Sequence, residues 1–474
     1  MVRRRLFNAV LAAIPGLISS FACTHAAELT HGPMIGHTTS TTARVWVRTG
    51  GSCQLHARAL PRNGGRAILS EKIRLLESDN FCGSVVLKGL SPSTTYSYRI
   101  LLDNKEQRPS VLQEFATFPA EKHRGILRVG FGHSLIGSGD QTTWRSIAGK
   151  KPDLFILMGD NIYSNSTDPG KQRRMYLQFR ADPHFRAFAA STPIYAVWDD
   201  HDYGVNNSDR TQPGKEKSLK TFNEIWANPP SQAGKAKGIW TRFAVGKSAF
   251  LLLDVRYHRS PNDDPDGPDK TMLGPEQRAW LLEQLAGSTE TFKFIVSGSS
   301  WNCGGVESWN HPFLYEYDTI LAAIEHRRVN GIILLGGDQH FHKIGVRPGE
   351  SWGGYDLHEW MAGQIWNSKE SQKRTLTPRG FGIITIDTKA SPATSRLEFF
   401  DEHGKPRLGR RIPYTTPGAL RALWDSPHGA NKDVPRSSDG ELRPATSGPL
   451  WEALPTATGE TLTEENLKWP AGKP

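Results

Sequence analysis

A chain of 474 residues exceeds what one hydrophobic core organises, so two or three domains are expected. Its net charge of +10 comes from dispersed lysines and arginines. No nucleic-acid-binding motif appears among them, and the charge reads as ordinary solubility with a modest pull on anionic substrates. Cysteines number only 4, and no fixed-period repeat marks a solenoid.

In chain order, the first residues read as a secretory signal. Arg3-Arg4-Arg5 precede an apolar stretch from Leu6 to Ala22, and Thr24-His25-Ala26 offers a cleavage site before Ala27. The apolar part is too short and interrupted for a stable transmembrane helix. Arg4-Arg5-Leu6-Phe7 fits the core of a twin-arginine export signal. A lipoprotein anchored through Cys23 is the lesser alternative, because Ser20-Phe21-Ala22 matches a lipobox poorly. Loss of residues 1–26 removes three positive charges, leaving 10 − 3 = +7.

Residues 27–119 alternate apolar and polar in short pieces such as Ala43-Arg44-Val45-Trp46-Val47-Arg48, the pattern of an all-β sandwich. Cys53 and Cys82 within it are plausible disulfide partners in an oxidising compartment, with Cys303 left over in a loop. Residues 125–413 mix strands and helices. Helices are expected from Pro275 to Leu285 and from Tyr317 to Arg328. Late strands are expected at Gly382–Asp387 and Arg396–Asp401, completing a second sheet packed on the first. Residues 414–474 are rich in Pro, Gly, Ser and Thr and read as an extension that wraps the surface or stays mobile.

Three blocks in residues 125–413 carry chemistry: Gly159-Asp160-Asn161-Ile162-Tyr163, Trp198-Asp199-Asp200-His201-Asp202 and Gly337-Asp338-Gln339-His340. Each follows an apolar run that reads as a buried strand, so the acids fall at strand carboxyl ends, where α/β folds place their sites. One Gly-Asp alone is most often a turn, but the ordered set points to two metal ions. Asp160 is the natural shared carboxylate, and Tyr163 supplies a phenol that suits a strong Lewis acid. Asp338 and His340, two apart in an extended segment, share a face. His201 either binds metal or gives a proton to a leaving oxygen, the role favoured here. Arg256 follows an apolar strand and is a candidate phosphate clamp, with a structural ion pair to Asp254 or another carboxylate as the alternative. Asn161 is a weaker candidate for a hydrogen bond to phosphate. Trp301, Trp309 and Phe341 either wall the mouth of the site or pack in the core.

With Lys151-Pro152-Asp153-Leu154 leading into the first block, Leu253-Asp254-Val255-Arg256-Tyr257 as an "LDxR" strand and Met272–Leu281 as an "LGxEQxxWL" helix, residues 30–410 resemble the alkaline phosphatase D (PhoD-like) family of calcineurin-type metallophosphatases. The resemblance implies an α/β metallophosphatase β-sandwich flanked by helices, preceded by an all-β fibronectin type III-like domain. Leu87–Tyr96 resembles the turn before a late strand of that module. It also implies Tyr163 and His340 on an iron-like ion, Asp200 and Asp338 on a calcium-like ion, and Asp160 between them. Asp200 is preferred to Asp199 because it stands immediately before the histidine. Where the family has Ser-Cys, this chain has Gly132-His133, and 160 − 133 = 27 residues fits the spacing of the first ligand. Imidazole for thiolate removes a negative charge, so zinc or manganese become alternatives to iron plus calcium.

The expected activity is that of an exported, metal-dependent phosphatase acting on phosphate esters. A metal-activated water would attack phosphorus in line. A phosphodiesterase or phospholipid-cleaving enzyme is the nearest alternative, and a catalytically degenerate binding protein the other. The sequence leaves the oligomeric state open.

Overall fold

The computed structural model describes residues 27–135, 141–305, 307–366 and 379–413. The expected signal at 1–26 and extension at 414–474 lie outside the described residues. No helix among those described is long and apolar enough to cross a membrane.

Period-2 alternation builds the N-terminal part. Leu29–Thr38, Thr42–Thr49 and Cys82–Lys88 form one antiparallel sheet, and Cys53–Pro61 and Thr95–Leu102, with shorter strands beside them, form a second. Val45, Val47, Val85 and Leu87 meet Leu55, Ala57, Tyr98 and Ile100 in a core between the sheets. Their alternate neighbours Trp46 and Cys82 belong instead to the core of the main body, which docks on the outer face of the first sheet.

The cysteines correct the expected pairing. Cys53 and Cys82 are both free and buried. They lie on different sheets, Cys53 opposite Leu75 and Cys82 opposite Arg48, and pack into different cores. Sequence proximity within one sandwich says nothing about which face of which sheet a cysteine takes.

The main body has two larger sheets. Ile126–Leu135, Leu154–Met158 and Ile194–Val197 run parallel, and Gly380–Asp387 and Thr394–Asp401 continue antiparallel from Ile126–Leu135. In the other sheet Ser248–Leu252, Phe292–Val296, Ile332–Leu335 and Leu357–Met361 run parallel between two antiparallel edge strands, Thr241–Val245 and Lys343–Arg347. Phe250, Leu252, Phe294, Val296, Ile333 and Leu335 enter the core shared with the first sheet, where Tyr195 stacks on Phe243 at 3.9 Å. Burying each such side chain stabilises the fold by about 1.5–3 kcal/mol. Leu251, Ile295 and Leu334 point the other way, under helices Gly274–Gly287 and Leu314–His326. On the far side of the first sheet, Phe155 packs on Trp144 and Phe188 of helices Thr143–Gly149 and Pro183–Ala189.

The α/β sandwich flanked by helices is therefore present, and both expected helices form within a few residues of their predicted bounds. The late strands differ from expectation. They extend the sheet that carries the first block and do not make a second sheet, which Thr241–Met361 supplies. Antiparallel pairing to Ile126–Leu135, such as Val129 opposite Ile384, is a long-range register that local apolar patterning cannot specify.

Candidate metal centre

The three blocks emerge at the carboxyl ends of Leu154–Met158, Ile194–Val197 and Ile332–Leu335, two strands in one sheet and one in the other. Glycine before aspartate has a steric cause. A Cβ on Gly337 would lie 2.4 Å from the carbonyl oxygens of both Gly298 and Met158, and one on Gly159, at φ +89°, would lie 2.6 Å from Asp199 Cβ. The loops touch through backbone, which brings their next residues together. Four residues around this junction adopt left-handed backbone: Ser134 (φ 58°), at the end of strand Ile126–Leu135, Asp160 (φ 53°), Asp338 (φ 73°) and His340 (φ 40°). Each such residue stores about 1–3 kcal/mol of strain, the pattern of a functional site.

Asp160 sits at the centre. Its Oδ2 accepts from the Tyr163 hydroxyl at 2.8 Å and lies 3.7 Å from His340 Nε2, while the Tyr163 oxygen is 2.7 Å from the same nitrogen and 2.9 Å from Ser134 Oγ. His133 stacks parallel to His340, ring centroids 5.9 Å apart, with its Nδ1 2.9 Å from Ser134 Oγ. Asp160 Oδ1 and His133 Nε2 are buried without a hydrogen-bond partner among the described residues. Two orphaned lone-pair donors beside a phenol, an imidazole and a carboxylate fit a cation.

Charge agrees with that fit. Burial raises the Asp160 carboxyl, but hydrogen bonding from His340 and the His201 and His340 imidazoles outweigh it and hold Asp160 below the usual carboxylate range. Burial, with Asp160 adding, pushes the Tyr163 phenol well above its ordinary value. Burial lowers His133 to about 3, keeping it neutral and able to donate a lone pair. Asp338 is raised to about 6 by burial and then by the nearby carboxylates of Glu307, Asp200 and Asp160. Acids gathered this closely repel unless a cation joins them.

On the other side, ligand atoms of Asp160, Asp200 and His201 all lie within 4.8 Å of one another. Asp199 is not in that group. Its Oδ1 takes a 2.7 Å bond from Arg256 Nε, and both side chains are fully buried. Asp200 Oδ2 is oriented by the Asn207 backbone N–H at 2.7 Å. His201 lies against Tyr163 at 4.2 Å, and its Nδ1 is 2.5 Å from Asn165 Oδ1.

Two expected substrate contacts need correction. Arg256 has no exposed surface. It spans Asp199 and Glu307, reaching the two oxygens of Glu307 at 2.8 and 3.0 Å, with Asp200 at 3.7 Å. It is a structural counterion, and Asp254, the partner weighed from sequence, takes the backbone N–H of Arg256 at 3.0 Å, not its guanidinium, together with Trp198 Nε1 and the backbone of Ile239. Asn161 is also fully buried, with its amide nitrogen 2.8 Å from the Val197 carbonyl, so it braces the loop. Trp301 and Trp309 stack at 4.1 Å inside the second core and do not wall a mouth. Sequence reading missed Ser134, Glu307 and Asn165, because serine and asparagine in loops read as turn residues and Glu307 belongs to none of the three blocks.

Two facing sheets with acids, imidazoles and a phenol at their strand ends define a sandwich of the calcineurin-type metallophosphatase fold. Residues 131–348 match the family model of the PhoD-like phosphatases. Residues 26–120 match a domain of unknown function (DUF7800). Alkaline phosphatase D of Bacillus subtilis (strain 168) is 24% identical over 308 residues, 53% of this chain and 52% of the relative, so the chain spans about half the length of that curated relative. The solved structure of PhoD superposes with a TM-score of 0.66 at 18% identity, over 82% of this chain and 92% of the other. A purple acid phosphatase from yellow lupin seeds gives a TM-score of 0.61 at 13% identity, over 83% and 76% respectively. Both share the fold.

Proposed function

We propose that this protein is an exported, metal-dependent phosphatase that hydrolyses phosphate esters, with residues 27–119 as an accessory β-sandwich and 125–413 as the catalytic unit. The single observation that carries the reading is the cluster of Asp160, Tyr163 and His340 with the orphaned His133 Nε2, a buried donor set with room for charge and too few protons of its own.

His133, Asp160, Tyr163 and His340 would hold one ion, and Asp160, Asp200 and Asp338 the other, iron with calcium or zinc or manganese in their place. When bound, such ions polarise the phosphoryl group and acidify water. The chain's own residues do the rest. Asn207 and the ion pair of Arg256 with Asp199 fix Asp200. Asn165 accepts from His201 Nδ1–H, which leaves Nε2 to deliver a proton to the leaving oxygen. The Arg-Arg core near the N-terminus and the family of the B. subtilis relative support export, by the twin-arginine route first.

The test is metal content of the purified protein beside hydrolysis of p-nitrophenyl phosphate and bis-p-nitrophenyl phosphate. Two ions per chain with turnover, both lost on chelation, is the expected result, and the faster ester separates phosphomonoesterase from phosphodiesterase. Fewer than one ion and no turnover would replace this reading with the binding-protein alternative.

A further inference from the structure

Away from the metal centre, Arg180 ends helix Pro169–Arg180 at the seam between the N-terminal sheet and the main body. It is 2% exposed, and its guanidinium lies between two indoles, 4.3 Å from the Trp46 ring and 4.4 Å from the Trp226 ring. None of its three nitrogens has a hydrogen-bond partner among the described residues. Cation–π contacts on both faces stabilise such a group by about 1–2 kcal/mol each, but they leave its in-plane N–H donors empty.

The cavity on its flank is lined by Gly32, Pro33, Met34, Phe185, Arg186 and Ala189 with Trp46 and Arg180. It holds no carboxylate, and Arg186 brings a second guanidinium whose Nε is also buried and unpartnered. The groups that favour the charge of Arg180 are Cys82 and Tyr176, which burial keeps protonated, Cys82 at about 11 and Tyr176 well above the ordinary phenol. Glu224, the carboxylate of the seam, is taken by Arg173 at 2.7 Å, so Arg180 is a buried positive charge with no carboxylate partner among the described residues, an arrangement that costs several kcal/mol unless an ion compensates it.

We propose that Arg180 and Arg186 bind a single halide ion, chloride in solution, in this seam between the two parts of the molecule. Size sets the class. The cavity measures about 10 Å³, the scale of a single small occupant, which favours a monatomic anion. Sulfate and phosphate match the guanidinium chemically but are the bulkier candidates, and the comparison with sulfate separates them. The ion would tie Trp46 of the N-terminal sheet to the helix through a shared charge.

The test uses the purified metal-loaded protein. At constant ionic strength, replacing gluconate by chloride or bromide is expected to raise the melting temperature by about 2 °C or more, and sulfate is not. Crystals grown in bromide should show an anomalous peak bounded by Arg180 and Arg186. Arg180→Met should abolish the halide difference, and Arg186→Gln should weaken it while keeping the indole sandwich. Equal melting in gluconate and halide, an undiminished halide effect in Arg180→Met, or a water in place of bromide would each overturn the proposal. The bromide crystal decides on the unaltered protein even if Arg180→Met does not fold.

Discussion

Replacing Arg256 by methionine tests whether the site is held from beneath. Arg256 is fully buried and contacts Asp199 at 2.7 Å and both oxygens of Glu307 at 2.8 and 3.0 Å. Burial would raise the Glu307 carboxyl, and the guanidinium instead holds it below its usual range. Methionine fills much of the volume but leaves the buried Asp199 carboxyl without its cation and Glu307 with Arg259 alone, 3.4 Å away. Breaking one such pair costs about 3–5 kcal/mol. The Asp199 pair alone sets an expected loss of about 3 kcal/mol, a large part of the roughly 5–15 kcal/mol that holds a typical domain together. The expected result is a metal-free Arg256→Met protein that unfolds at much lower urea concentration, with part of the loss recovered in Arg256→Met/Asp199→Asn, where the stranded acid is removed. A phosphate clamp would behave otherwise, raising KM at nearly unchanged stability. A loss below about 1 kcal/mol, the range of an exposed pair, together with a raised KM would refute the buried-counterion argument.

The two adjacent aspartates should separate cleanly. Asp200→Asn is expected to lose an ion by elemental analysis, whereas Asp199→Asn keeps both ions and lowers the melting temperature. His133→Ala should weaken retention against a chelator by about tenfold or more, and Ser134→Cys, placing a thiolate beside Tyr163 and Asp160, should raise zinc affinity by a similar factor. Metal affinity should fall as pH drops through about 6, the position of the Asp338 carboxyl, because below it each ion bound there displaces a proton. The slope is about tenfold per pH unit for that one proton, read by calorimetry in buffers of different ionisation enthalpy. In the metal-free protein the sign reverses. A carboxyl raised above its ordinary 3.8 favours the fold at low pH, and that contribution is lost as pH rises from about 4 to 6.

Strand-end acids were legible because the blocks combine two local signals, an apolar run and an abrupt Gly-Asp, and both have backbone causes in the contacts of Gly159 and Gly337. The sandwich of residues 27–119 was legible from alternation. What failed depends on long-range pairing. Which sheet receives Gly380–Asp387, whether Cys53 meets Cys82, and whether Arg256 faces phosphate or Glu307 are decided by partners far away in sequence. Asn161 shows the same limit in miniature, since the turn of its amide toward Val197 follows from how two loops meet.

The close approach of Gly337 to Gly298 and Met158 has a consequence for biogenesis. Asp160 leaves one sheet and Asp338 the other, and they become neighbours only when backbone from both has closed around that glycine. A chain still emerging from the ribosome, complete through the first two blocks, can bring together Asp160, Asp200 and His201 but still lacks Asp338 and His340. Completion of the donor set therefore waits on the pairing of both sheets, which ties the last ligands to finished folding.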